Sequence, residues 1–155
     1  MTRESDVRFS FDWELIDAAR EFLLRYLSRL CNREVAGEVC LAAHELMENA
    51  VKYSSDPHAV LSLFVEDDGR LQLVVENRPL PDHLLILAAE LAALKHTPDA
   101  FAHYRQKMTE AAERNDGKSG LGLARIRCES RMDLSYELAG GMLRVMAVKP
   151  GSPQV

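Results

Sequence analysis

The sequence predicts an α+β fold in which a layer of helices packs against one sheet. Apolar or alternating segments occur in pairs joined by short turns, which is typical of antiparallel hairpins. Segments with helical periodicity are grouped between them, which gives the order β-α-α-β-β-α-α-α-β-β. Hairpins and grouped helices together favour a two-layer α/β sandwich, with a mostly antiparallel mixed sheet and the helices on one face.

The N-terminal third of the chain predicts one strand and two helices. Residues 7–11 alternate between apolar and polar side chains, as a half-buried strand does. Asp12 can cap a helix that runs to about Leu30, and Asn32 can cap a second helix over about 33–54. The predicted core face of the first helix contains Trp13, Ile16, Ala19, Leu23, Leu27 and Leu30. That of the second contains Val39, Ala42, Ala43, Leu46, Ala50 and Tyr53.

The remainder of the chain predicts two hairpins separated by helices. Strands at about 59–66 and 70–77 flank a turn at 67–69, Asp-Asp-Gly, which is typical of a hairpin. Pro79 and Pro81 then interrupt the sheet. The elements predicted after them are helices at 82–95 and 98–114, a loop at 115–120, a short helix at 121–130, and strands at 132–138 and 142–148.

Composition limits the classes of function. A chain of 155 residues with 47% hydrophobic residues is expected to form one packed domain over 1–155. A formal net charge of −5 without a basic cluster argues against non-specific binding of nucleic acid. No apolar run approaches the ~18 residues that span a bilayer, and the N-terminus lacks an apolar signal segment. We therefore expect a cytoplasmic protein with neither nucleic acid nor membrane as a partner.

Glu45, Asn49 and Lys52 lie on one shoulder of the second predicted helix. Their spacing places them within about 60° of one another, at the edge of the apolar stripe. The Asn49 carboxamide can supply an oxygen ligand to Mg²⁺. Glu45, one turn away, can act as a base toward an attacking hydroxyl. An ordinary solvated helix face has the same spacing, so the helix alone leaves both interpretations open.

A glycine-rich run at 117–123 is the second candidate segment. Its glycines let the backbone approach a polyphosphate without an intervening Cβ. The amides at the start of the helix predicted there can face anionic oxygens, and Lys118 or Arg125 can add a positive charge. The candidate phosphate-binding residues are Gly117, Lys118, Gly120, Leu121, Gly122 and Leu123. Considered alone, the run could equally be a mobile glycine linker.

Together the two segments resemble the Bergerat-fold ATP-binding superfamily shared by gyrase and histidine kinases. Glu45-x-x-x-Asn49-Ala50-x-Lys52-Tyr53-Ser54 is similar to the family's N box. Gly120-Leu121-Gly122-Leu123, followed by Ile126, is similar to the box at the end of the ATP lid. Element order and length most resemble the small single-domain branch, the bacterial anti-sigma-factor serine kinases and related partner-switching kinases.

The resemblance implies a histidine-kinase-like ATP-binding domain with ATP and Mg²⁺ as cofactors. By this resemblance Glu45 is the general base, Asn49 is the Mg²⁺ ligand, and Gly120 and Gly122 hold the phosphates. Lys52 belongs to the N box and so to the nucleotide site. Residues of about 80–119 correspond to the lid over the nucleotide.

The adenine end departs from the family's pattern. Where the family has Asp-x-Gly-x-Gly after the middle strand, this chain has Asn77-Arg78-Pro79-Leu80-Pro81. Asn77 shares a strand face with Leu71, Leu73 and Val75, so its carbonyl can still accept from an adenine amino group, though without negative charge. The prolines fix φ and remove two backbone donors. In the last hairpin, Gly141-Met142 stands where the family usually has Gly-Thr.

Two functions of different classes follow from this pattern. The leading hypothesis is an ATP·Mg²⁺-dependent serine/threonine kinase of a bacterial partner-switching pathway. Its partner would be a small regulatory protein with a phosphorylatable Ser or Thr, with a sigma factor as a second partner, and such kinases are often homodimers. The alternative is a non-catalytic pseudokinase module on the same fold, because the adenine box has lost its Asp and glycines.

The apolar helix predicted at 82–95 also has two interpretations. It lacks a strong polar face. It can therefore pack over the edge of the sheet and anchor the lid, or it can present an apolar surface to a partner.

Overall fold

The computed structural model describes residues 5–114 and 121–151. Within these ranges the chain forms one five-stranded sheet and a group of helices, so the α+β prediction is confirmed. In chain order the elements are β1 Val7–Phe11, α1 Ile16–Leu27, α2 Arg33–Lys52, β2 Ala59–Val65, β3 Leu71–Asn77, α3 Pro81–His96, α4 Ala100–Arg114, α5 Gly122–Arg125, β4 Asp133–Ala139 and β5 Met142–Lys149. A 3₁₀ turn, Trp13–Leu15, precedes α1, and a π turn, Ile126–Ser130, follows α5.

The sheet has the strand order β1-β2-β3-β5-β4. Every pair of neighbouring strands that the structure describes is antiparallel, where the sequence predicts a mostly antiparallel mixed sheet. The β4–β5 hairpin turns through Gly140 and Gly141, whose φ values of 61° and 77° favour glycine. The order places β3, with Asn77 at its end, in the centre of the sheet.

The hydrophobic core lies on one face of this sheet. Leu63, Leu73 and Ala147 occupy paired positions of neighbouring strands, and all three are fully buried. Helix α2 packs against this face, contacting β2, β3 and β5, and α1 packs on α2. The opposite face carries ion pairs, in which Glu76 lies 3.7 Å from Arg8 and 3.6 Å from Arg144. The two-layer arrangement therefore places α2 over the middle strands of the sheet, with the polar residues along its side at the edge of the core.

The first helix is shorter than the sequence predicts. Asp12 is a cap, as expected, but its carboxylate accepts from the amides of Glu14 and Leu15 in the 3₁₀ turn, and the α-helix begins only at Ile16. The predictions that Trp13 and Leu30 belong to the core are wrong, because their side chains are 58% and 52% exposed. Trp13 lies in the 3₁₀ turn, so its side chain does not continue the core face of the α-helix. Leu30 follows the end of the helix at Leu27, so helical spacing no longer determines its direction.

Helix α3 both packs on the core and exposes an apolar face. Leu87, Leu91 and Leu94 are buried, whereas Leu85 and Ile86 project outward. The buried side agrees with the interpretation of α3 as a packing helix, whereas the interpretation of its exposed side as a partner surface stays a prediction. No helix in the described ranges is both long and apolar enough to cross a bilayer.

A pair of leucine truncations tests the position of the core. Leu73→Ala removes a fully buried side chain from the central strand and should lower the free energy of unfolding by about 2–5 kcal/mol. Leu85→Ala removes a side chain that is 74% exposed and should change it by about 0.5 kcal/mol or less. Urea denaturation measures both, and equal losses would contradict the assigned core.

Candidate functional site

Helix α2 carries the predicted carboxylate and carboxamide at the edge of the core. Asn32 caps this helix, its side-chain oxygen accepting from the Val35 amide at 2.8 Å, so its register begins at a defined residue. Glu45 and Asn49 follow one turn apart, both half-buried. Their neighbours Leu46 and Ala50 are buried, which holds the pair at the boundary between the core and the surface.

Gly122 brings the second predicted segment to this pair. A Cβ built on Gly122 would lie 2.8 Å from Glu45 Oε2 and 3.5 Å from Asn49 Nδ2. Real Cβ atoms do not approach other atoms to 2.8 Å, so a side chain at position 122 would have to displace the end of the Glu45 side chain. The structure thus joins Glu45, Asn49 and Gly122 in one cluster.

An ion pair fixes the Glu45 side chain. Arg125 Nη1 lies 3.1 Å from Glu45 Oε1, and Arg125 Nε lies 3.4 Å from the buried Tyr104 hydroxyl. The Tyr104 hydroxyl and then the Glu45 carboxylate raise the pKa of Arg125, so the guanidinium stays charged. Only Oε1 is used in this pair, and Oε2 is the oxygen that faces Gly122.

Asn77 is held at the end of β3 by a hydrogen bond to α2. Its Nδ2 donates to the Ala50 carbonyl at 3.0 Å, and the residue is only 4% exposed. A carbonyl can only accept, so this bond also assigns the orientation of the carboxamide. The carboxamide oxygen of Asn77 is the group left for another partner.

A small pocket lies between Asn49 and Asn77. Its volume is about 20 Å³, which is room for roughly one water molecule and much less than a purine ring needs. Leu87 and His83 of α3 form its outer wall. The His83 ring lies parallel to the Tyr53 ring, with the centroids 3.7 Å apart and the planes 8° apart. Burial lowers the pKa of His83, which favours the neutral imidazole in this stack.

The proline segment between β3 and α3 determines where α3 lies. The Leu80 amide donates to the Tyr53 carbonyl at 2.9 Å, and the Ser55 amide donates to the Arg78 carbonyl at 2.8 Å. Pro81 then occupies the first turn of α3, where its fixed φ suits the helix and its missing donor costs nothing. The stretch 77–81 therefore attaches the start of α3 to the end of α2.

The other predicted site residues lie at different depths. Leu123 is buried and lines the small pocket, and Leu121 is half-buried. Lys52 is exposed, with its Nζ 5.3 Å from the centre of the Tyr53 ring. Gly117, Lys118 and Gly120 are outside the described residues. Among the described residues no group of three or more His, Cys, Asp or Glu could hold a metal ion.

Sequence reasoning missed the contacts that four residues make at this site. Tyr104 lies on a helix whose pattern is polar, and nothing in the sequence indicates that its hydroxyl meets Arg125. The sequence predicts Tyr53 on the core face and in the N box, but it does not indicate the stack with His83, because that stack depends on the path of the proline segment. Arg125 was considered only as a charge for phosphate, although its spacing of four from Glu129 could have indicated a second acidic partner, now seen at 3.7 Å.

Comparison with known proteins identifies the fold. No protein-family model matches this chain, and no curated protein matches it. Among solved structures, the chain is similar to one in the crystal structure of the SiaB–SiaC complex from Pseudomonas aeruginosa, with 20% identity and a TM-score of 0.72. The match covers 94% of this chain and 90% of that chain. The chain therefore shares its α+β fold with that protein over nearly its whole length.

Two glycine substitutions test the close approach at Gly122. Gly37→Ala, in an open position on α2, should raise the free energy of unfolding by about 0.5–1 kcal/mol, because alanine favours the helix. Gly122→Ala should lower it by about 0.5–1 kcal/mol, because the new Cβ displaces the Glu45 carboxylate from Arg125. In a Glu45→Ala background the loss at Gly122 should disappear. Urea denaturation measures all three effects, and equal gains at the two glycines would show that the approach is not close.

Proposed function

We propose that this chain is an ATP·Mg²⁺-dependent serine/threonine protein kinase and binding partner in a bacterial partner-switching pathway. The observation that carries the proposal is the cluster of Glu45, Asn49 and Gly122, which joins two segments that are distant in sequence. A carboxylate, a carboxamide and a Cβ-free backbone at one place supply a base, a metal ligand and access for phosphate.

The Asn49 carboxamide fits the role of the Mg²⁺ ligand. It makes no hydrogen bond to the residues that the structure describes, and it lies beside Gly122, where a Cβ would fill the space. The described chain offers no acidic cluster, so the ion would depend on Asn49 and on phosphate oxygens, which is common for Mg²⁺. When bound, Mg²⁺ would neutralise negative charge on the transferring phosphate.

Glu45 fits the role of the base through one of its two oxygens. Arg125 holds the carboxylate in place through Oε1. Oε2 remains on the side of Gly122, where it can accept the proton of a substrate serine or threonine. Arg125 thus positions the carboxylate without using the oxygen that the reaction requires.

At the base end, the described conformation is closed. The free oxygen of Asn77 can accept from an adenine amino group, but the pocket of about 20 Å³ does not admit the ring. His83 covers the Tyr53 ring and Leu87 covers the pocket. ATP binding therefore requires α3, part of the proposed lid at 80–119, to move away from Tyr53.

The proposed partner is a small regulatory protein that presents a serine or threonine. The structural neighbour comes from a complex named for two proteins, which supports a function through protein association. A sigma factor and a second copy of this chain are further proposed partners.

The closed pocket favours one alternative, a non-catalytic binding module on the same fold. In that case the Tyr53–His83 stack would be permanent and Glu45 would serve only to hold Arg125. The function would then be protein binding through the surface of the domain. Nucleotide binding distinguishes this alternative from the kinase.

Isothermal titration calorimetry with ATP tests the proposal. We expect ATP to bind more tightly with Mg²⁺ than without it. In the presence of Mg²⁺, Asn49→Ala should weaken ATP binding about tenfold or more, which corresponds to about 1.4 kcal/mol of binding free energy. Without Mg²⁺, the affinity of this variant for ATP should equal that of the wild type. The matched variant Asn32→Ala removes the α2 cap, with a loss of about 1 kcal/mol in stability, and should bind like the wild type.

The variant Glu45→Gln separates phosphate transfer from ATP binding, which are measured in two assays. It should bind ATP as the wild type does, while transfer of labelled γ-phosphate to protein in a bacterial extract falls about 100-fold or more. If millimolar ATP gives the wild-type protein neither binding heat nor a rise in Tm, the kinase proposal is contradicted and the non-catalytic alternative stands. Wild-type transfer by Glu45→Gln would remove Glu45 from the role of base.

A further inference from the structure

A second, larger cavity lies between the C-terminal half of α3 and the edge strand β4. Its volume is about 710 Å³, within the range of roughly 300–1,000 Å³ that is usual for ligand clefts. It contains neither Glu45 nor Asn49, so it is separate from the candidate phosphate site. We call this cavity the α3–β4 groove.

The α3–β4 groove follows the outer edge of the sheet. Four consecutive residues of β4, Asp133 to Tyr136, line it. Successive strand residues point to opposite faces, so a cavity that touches all four must run along the strand's edge. β4 pairs only with β5 in the described sheet, which leaves the outward N–H and C=O groups open to another strand. An extended peptide can bind there by adding a strand.

The charges of the groove oppose the charge of the chain. The chain carries a formal net charge of −5, yet the groove is lined by two basic side chains, Lys95 and Arg127, against one acid, Asp133. Arg127 Nη1 is buried and has no hydrogen-bond partner among the described residues. Because Arg127 lines the groove, a carboxylate bound there would form a charge-assisted bond with the accessible part of its guanidinium.

The remaining wall of the groove is apolar. Leu91 and Ala92 of α3 face it from one side, and Leu134 of β4 faces it from the other. Alternate side chains of an added strand would pack against this wall. Acidic side chains at the positions between them would form ion pairs with the basic side chains of the groove. We propose that the α3–β4 groove binds an extended segment of a partner protein that is rich in acidic and β-branched residues. The proposal goes beyond the kinase function and requires no nucleotide.

Binding of a defined peptide tests this proposal without ATP. The probe is a fluorescein-labelled, end-blocked decapeptide of alternating valine and glutamate, and its control is the same peptide with lysine for glutamate. We expect fluorescence anisotropy to show micromolar binding of the acidic peptide and at least tenfold weaker binding of the basic one. Hydrogen exchange should show new protection of the amides of 133–139 when the acidic peptide is bound.

Three variants locate the binding. Lys95→Glu, on the exposed surface of α3, should weaken the acidic peptide at least threefold, and Lys95→Glu with Arg127→Gln at least tenfold. Arg29→Glu, exposed in the turn after α1, is the matched control and should stay within twofold. If the double variant does not fold, Lys95→Glu alone decides.

Several results would overturn the proposal. Equal binding of both peptides, an equal loss in Arg29→Glu, or unchanged exchange at 133–139 would each do so. Sedimentation of the chain alone supplies a further test: a dimer dissociated by Lys95→Glu would assign the groove to a second copy of this chain instead. None of these readouts depends on nucleotide, so they remain distinct from failure of the kinase proposal.

Discussion

The packing of α2 across the helix-covered face of the sheet is the constraint on which the rest of the structure depends. Its buried side places Glu45 and Asn49 at the edge of the core, where they are half-buried and keep a fixed spacing. Just after its C-terminal end, the Tyr53 carbonyl accepts from the Leu80 amide and the Ser55 amide donates to the Arg78 carbonyl, which ties α2 to the segment that leads into α3. A shift of α2 would therefore move the candidate phosphate end together with the helix that closes the proposed base end.

Helix α3 connects the two proposed surfaces. Its first turns, with His83 and Leu87, close the small pocket, and its last turns, from Ala88 to His96, line the α3–β4 groove. The segment that contains Pro79 and Pro81 places the start of this helix against Tyr53. The proline segment, where the sequence departs from the pattern of the family it resembles, thus leads into the helix that covers the proposed base pocket.

The parts of the site that follow from local periodicity could be predicted from sequence. The four-residue spacing of Glu45 and Asn49 and the shared strand face of Leu73 and Asn77 are fixed by helix and strand geometry. Contacts between distant elements could not be predicted in this way. The pairing of Glu45 with Arg125 and the stack of His83 on Tyr53 depend on how α5 and α3 dock, which no local pattern encodes. The wrong placement of Trp13 in the core has the same origin, since a 3₁₀ turn changed the helical phase.

Paramagnetic NMR with Mn²⁺ in place of Mg²⁺ tests the central claim most directly, because Mn²⁺ broadens the signals of nearby nuclei. With substoichiometric Mn²⁺ and saturating ATP, the side-chain amide signal of Asn49 should disappear. That of Asn32, at the opposite end of the same helix, should persist. Equal broadening of the two signals, or an unchanged Asn49 signal, would contradict the assignment of Glu45, Asn49 and Gly122 to the metal and phosphate end of a nucleotide site.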